Sequence, residues 1–115
     1  MTASTQQLHA GQTALVTFTL SEPSTDFEQS DVSVNGGALS NWSASSATVY
    51  TATFTPTANS TANGVVSVAS NRFSDAAGNA NADGSDANNT VTLTVDSVLP
   101  TVSISSSVST LAQGE

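Results

Sequence analysis

Apolar residues recur at every second position in three separate stretches, and that period dictates strands rather than helices. In ALVTFTL, Ala14, Val16, Phe18 and Leu20 fall on one face while Leu15, Thr17 and Thr19 fall on the other. In VYTATFT, Tyr50, Ala52 and Phe54 alternate with threonines, and in VTLTV so do Val91, Leu93 and Val95. A strand with one apolar and one hydroxylated face is half-buried and antiparallel. Shorter signals of the same kind lie at DVSVN (31–35) before the Gly36-Gly37 turn, at LSNW (39–42) and at VVSVAS (65–70). Nothing reads as a helix longer than a turn.

Strands over 13–20, 31–36, 38–43, 48–55, 64–73 and 89–96, with another suggested by TVSI (101–104), fit a sandwich of immunoglobulin type. The expected fold is thus all-β, an immunoglobulin-like Greek-key β-sandwich of about seven strands. The chain has no cysteine, so Phe18, Trp42, Tyr50, Phe54 and Phe73 must fill its core by shape alone. Its 115 residues suffice for one such domain and one core.

Arg72 is the only basic residue, there is no lysine, and nine acids bring the net charge to −8. Nucleic acid and anionic membranes require clustered Lys and Arg, so neither is expected as a partner. The natural partner of such a surface is a cation, and without cysteine its ligands must be oxygens or the lone His9. No apolar run approaches a membrane span, and no signal-like segment follows Met1, so targeting is expected to be encoded elsewhere in a longer parent chain or to be missing.

The two ends resemble each other. SVSTLAQGE (107–115) lies over STQQLHAGQ (4–12), matching Ser107 to Ser4, Leu111 to Leu8 and Gly114 to Gly11, an offset one sandwich long. The chain therefore reads as one unit of a tandem array. Residues 1–96 form its domain with an incomplete first strand, and 97–115 form a linker and the start of the next repeat. In DSVLPT (96–101) the proline fixes its own φ and restricts the residue before it, stiffening the joint.

VTFTLSE (16–22), DVSVNGGALS (31–40), VYTATFTPTA (49–58), FSDAAGNAN (73–81) and VTLTVDSVLPTVSI (91–104) together resemble the bacterial immunoglobulin-like repeats of large calcium-dependent surface adhesins, the RTX-type biofilm proteins exported by type I secretion. The resemblance implies an extracellular spacer module at the bacterial surface, flanked by like repeats, with Ca²⁺ at or near the joints; an isolated unit is expected to be a monomer. Position by position it points to Glu22 of TLSE, Asp75 of FSDAAGN and Asp96 of VDSVLP as ion ligands, Asp96 serving the following unit.

Topology places acids independently of that resemblance. The loop SEPSTDFEQSD (21–31) carries Glu22, Asp26, Glu28 and Asp31, and DAAGNANADGSDANN (75–89) carries Asp75, Asp83 and Asp86. In the expected sandwich both loops meet at one pole, and like charges so crowded favour a hard divalent cation, which accepts six to eight oxygens from irregular loops. Within the second loop, NANADG (79–84) resembles the first half of an EF-hand loop, with Asn79, Asn81 and Asp83 at alternate positions before a glycine. It departs from that motif in having Asn79 first and Thr90 twelfth, and the same residues are common in plain turns. The metal candidates are therefore Glu22, Asp26, Asp75, Asn79, Asn81, Asp83, Asp86 and Asp96.

No nucleophile elbow, zinc-protease motif or phosphate loop appears, and His9 is expected in a poorly structured start, so no enzyme is expected. The rival reading is a carbohydrate-binding accessory module, which requires Trp42 and Tyr50 exposed on one sheet face.

Overall fold

The computed structural model describes residues 1–105; the likeness of 107–115 to 4–12 lies outside them. Eight strands form two four-stranded sheets. They are β1 (Thr2–Ala3), β2 (Gln7–His9), β3 (Ala14–Thr19), β4 (Ser33–Asn35), β5 (Gly37–Ala44), β6 (Val49–Pro56), β7 (Gly64–Ser67) and β8 (Thr90–Asp96). One sheet has the order β1-β3-β6-β5, the other β2-β8-β7-β4, so this is the immunoglobulin-like sandwich that the alternation implied. Short 3₁₀ turns at Gln29–Asp31 and Ala87–Asn89 are its only helical elements among the described residues.

Period-two patterning explains which faces meet. In β3 and β8 the residues Ala14, Val16, Phe18, Val91, Leu93 and Val95 are buried while their neighbours face outward. β6 follows suit with Tyr50, Ala52 and Phe54, and pairs with β3 from Ala14↔Phe54 to Thr19↔Val49.

Three expectations need correction. The start of the chain is not poorly structured: β1 pairs antiparallel with β3, and β2 pairs parallel with β8, burying Leu8 between the sheets and placing His9 beside Asp96. One large apolar residue, Leu8, in STQQLHAG is too few to show a period, which hides this strand from pattern reading. TVSI does not supply another strand: residues 101–105 form none, and Val102 and Ile104 are 85% and 91% exposed. The chain has left the sandwich at the wrong end by then. The strand expected over 64–73 stops at Ser67, and farther on Asn71, at φ 63°, turns the backbone within the loop that follows.

The sandwich has two unlike poles. At the near pole the Met1 ammonium donates to the Asn88 carbonyl at 3.2 Å, and the 20–32 and 68–89 loops meet. Phe27 forms the hub there, its ring centroid 5.0 Å from Tyr50, 5.3 Å from Trp42, 5.8 Å from Phe18 and 4.7 Å from Phe73. Such offset and edge-on ring contacts add to the stabilisation from burial alone. At the far pole one ring, Phe54, closes the core against bare backbone: a Cβ on either Gly37 or Gly64 would run into its Cζ. The exit is pinned there as well. The Ser97 hydroxyl lies 2.6 Å from the Thr57 carbonyl and 3.1 Å from the Ser60 carbonyl, and it accepts from the Ser60 amide at 2.9 Å.

Candidate metal site

Two loops build the near pole, and Ser24 and Asp26 join them. Tyr50, rising from β6, donates its buried phenol to the Ser24 carbonyl at 3.1 Å, which fixes the first loop to the core. The Ser24 hydroxyl lies 2.6 Å from the Ser74 carbonyl and 2.8 Å from Asp26 Oδ1, sharing one proton between two acceptors. Ser74 returns its amide to Asp26 Oδ1 at 2.9 Å and its hydroxyl to Oδ2 at 2.6 Å. The Ser74 hydroxyl, its backbone amide and the Ser24 hydroxyl hold the Asp26 carboxyl down to a pKa of about 2. Both Asp26 oxygens are therefore committed to clamping the loops together.

Asp75 begins the next tight turn. Its Oδ1 accepts from the amides of Ala77 (3.0 Å) and Asn79 (2.9 Å), and Oδ2 accepts from the Asn79 side chain at 3.1 Å. Gly78, at φ +89°, supplies the left-handed residue this turn requires. Glu22, leaving β3 at the end of TLSE, brings its carboxyl against that of Asp75. The hydrogen bond to Asp75, then the repulsion between the two, raise the Glu22 pKa. Asp75 is lowered, chiefly by the Asn79 amide and side chain and then by Glu22. Carboxyls in such contact need a shared proton or a cation between them.

The remaining candidates divide. Glu22, Asp75, Asn79, Asn81 and Asp83 all line one open cleft of ≈ 340 Å³, bordered also by Met1, Phe18 and Leu20. Asn81 has little left to offer an ion. Its Oδ1 accepts from the amides of Arg72 (2.8 Å) and Phe73 (3.2 Å), and its Nδ2 donates to the Ala69 carbonyl at 2.9 Å. Asp83 lies 3.4 Å from that same Nδ2, and Gly84 packs so closely on Ser70 that no side chain fits there. NANADG is thus folded as a side-chain-braced turn. Asp86 precedes the second 3₁₀ turn outside the cleft. Glu28 and Asp31 engage each other's turn, Asp31 accepting from the Glu28 amide at 2.9 Å. Asp96 is at the far pole, accepting from the Val98 amide at 3.2 Å.

As a donor set, this pole offers oxygen alone, which suits Ca²⁺. It is sparse: among the described residues no three carboxylate, imidazole or thiolate groups come close enough to hold a metal together. Of the six to eight oxygens that a calcium ion takes, the Glu22–Asp75 pair could offer only a minority, so any such ion would need amides, carbonyls, water or another unit as well. Sequence reasoning missed Ser24, Ser74 and Phe27, which position the pair. Tyr50 is buried and Trp42, half-buried, packs on Phe18 and Phe27, as their expected place in the core requires and against the exposure that a sugar platform needs.

No curated protein and no solved structure matches this chain. A family model described as "Bacterial Ig-like domain" matches residues 1–92, spanning nearly all of the sandwich just described. The chain belongs to the bacterial Ig-like domain family.

Proposed function

We propose that this domain is a calcium-binding spacer unit in a tandem array, part of a large adhesin at the bacterial cell surface. Its work is mechanical: holding a rod straight rather than transforming a substrate. The observation that carries the calcium reading is that Glu22 and Asp75 line one cleft, with carboxyls near enough for each to shift the other's pKa. Ca²⁺ bound there would neutralise the repulsion and fasten the end of β3 to the 68–89 loop. In an array, the Asp96 of one unit, leaving the far pole, approaches the near pole of the next and adds a third carboxylate. The family match supports the repeat module, and the oxygen-only donor set supports the ion.

Thermal melting tests the calcium reading. Millimolar Ca²⁺ should raise the melting temperature and EDTA should reverse it, extracellular modules binding at about 10⁻⁴ to 10⁻³ M. Glu22→Gln should abolish that response. The same substitution should raise the ion-free melting temperature at neutral pH, since it replaces a repelled carboxylate with an amide that donates to Asp75. A melting curve indifferent to Ca²⁺ would remove the ion from this reading and leave the fold untouched.

A further inference from the structure

β1 covers only part of the edge of β3. The pairs Thr2↔Thr17 and Ala3↔Val16 are the whole β1–β3 ladder, and among the described residues no strand lies beside the backbone of Thr19 and Ser21 on that side. That bare edge borders the near-pole cleft, where Phe18, Thr19, Leu20 and Ser21 line one wall. At the other end, Thr101–Ser105 is exposed, and its apolar residues, Val102 and Ile104, sit two apart as in a half-buried strand. An unpaired edge and an unpaired alternating segment are complementary.

We infer that Thr101–Ser105 of one copy adds antiparallel to the β3 edge of another, displacing the two-residue β1 and joining copies head to tail. The repeat offset that matches Leu111 to Leu8 sets the register. Continuing the β1–β3 ladder in that register puts Ile104 opposite Phe18 and Val102 opposite Leu20, with Thr101, Ser103 and Ser105 opposite Ser21, Thr19 and Thr17. Paired residues share a face. Both apolar side chains therefore turn inward, onto buried Phe18 and half-buried Leu20, and the three hydroxylated ones turn outward. A slip by one residue would invert every side chain.

The donor cannot serve its own domain. Ser97 is held at the far pole by its bonds to Thr57 and Ser60, and only Val98, Leu99 and Pro100 precede Thr101, a reach of at most about 14 Å. The near-pole end of β3 lies the length of β8 away, roughly 20 Å over Thr90–Asp96. A head-to-tail contact of this kind does not close on itself, so it propagates as an open chain of copies. The repeat register links it to the array reading, but it requires no ion and replaces the expectation of a monomeric unit.

The chain has no cysteine, which makes disulfide trapping clean. Opposed residues of a hydrogen-bonded antiparallel pair stand about 5.5 Å apart at Cα, within disulfide range. Thr19→Cys and Ser103→Cys variants of this 115-residue chain, mixed in EDTA and oxidised, should give mainly the mixed dimer, and the double variant should give a reducible ladder of oligomers. Adding Ile104→Asp, at a position already 91% exposed and so no threat to folding, should abolish both products. Random proportions of mixed and like dimers, a disulfide closed within single chains, or a ladder unaffected by Ile104→Asp would each overturn the inference. Because calcium is excluded, neither result depends on the outcome of the melting experiment.

Discussion

The two poles of this sandwich are closed by opposite means. At the far pole the backbone comes to the side chain: Gly37 and Gly64 leave room for the single ring of Phe54, and Ser97 ties down the exit. At the near pole, side chains reach across to the backbone. Five aromatic rings pack under two long loops, and Asp26, Asp75 and Asn81 spend their polar atoms on backbone amides. A pole closed by apolar contact has no titrating group in its closure. One braced by carboxylates loses that bracing as they take up protons.

That contrast can be broken at several points. The largest effect is expected from Phe54→Ala, which empties the far-pole core and should cost about 3–5 kcal/mol by denaturant unfolding. Its cost should be the same with and without Ca²⁺; a calcium-dependent cost would mean that the poles are not separable. Tyr50→Phe removes only the phenol bond to the Ser24 carbonyl, and should cost about 0.5–1.5 kcal/mol. If the near-pole reading holds, this variant also weakens the Ca²⁺ response, because the Ser24–Ser74 contact sets where Asp75 lies.

The effect most diagnostic in shape belongs to Asp26→Asn. The Asp26 carboxyl is lowered from 3.8 to about 2, so its contribution is fully present above its unfolded value and is lost as the pH falls through about 2. The substitution should flatten that acid limb of the stability curve. Asp75, also lowered, leaves a residual slope of the same sign, whereas raised Glu22 works in the other direction, its contribution fading as the pH rises. Melting temperatures of the two proteins measured from pH 2 to pH 5 should converge at the acid end. Parallel curves would show that Asp26 does not clamp the loops.

Alternation made β3, β6 and β8 legible, because Val16, Ala52 and Leu93 sit in unbroken runs where one face is wholly buried. It failed for β2, where Leu8 alone carries the burial and parallel pairing with β8 supplies the rest. That the two acidic loops meet at one pole was legible from strand direction, while Glu22 and Asp75 were singled out only by the resemblance that TLSE and FSDAAGN carry. Which of them are free and which are spent was not. Asp26 meets Ser74 across 48 residues of sequence, and in a chain dense with serine nothing local distinguishes Ser24 or Ser74 from the exposed ones. Phe27 was hidden for a similar reason: it stands among polar loop residues, and its burial comes from four rings on other segments.

The parallel pairing of β2 with β8 has a consequence for load. Gln7, Leu8 and His9 lie beside Thr94, Val95 and Asp96, the chain enters this ladder from the near pole, and it leaves at Ser97 on the far one. Tension along the chain drags the two strands past each other lengthwise. The bonds between them are then strained together as a set, whereas a hairpin pulled at its open end yields one bond at a time. A short strand in this position acts as a shear lock, stiff along the axis that joins the chain's entry to its exit.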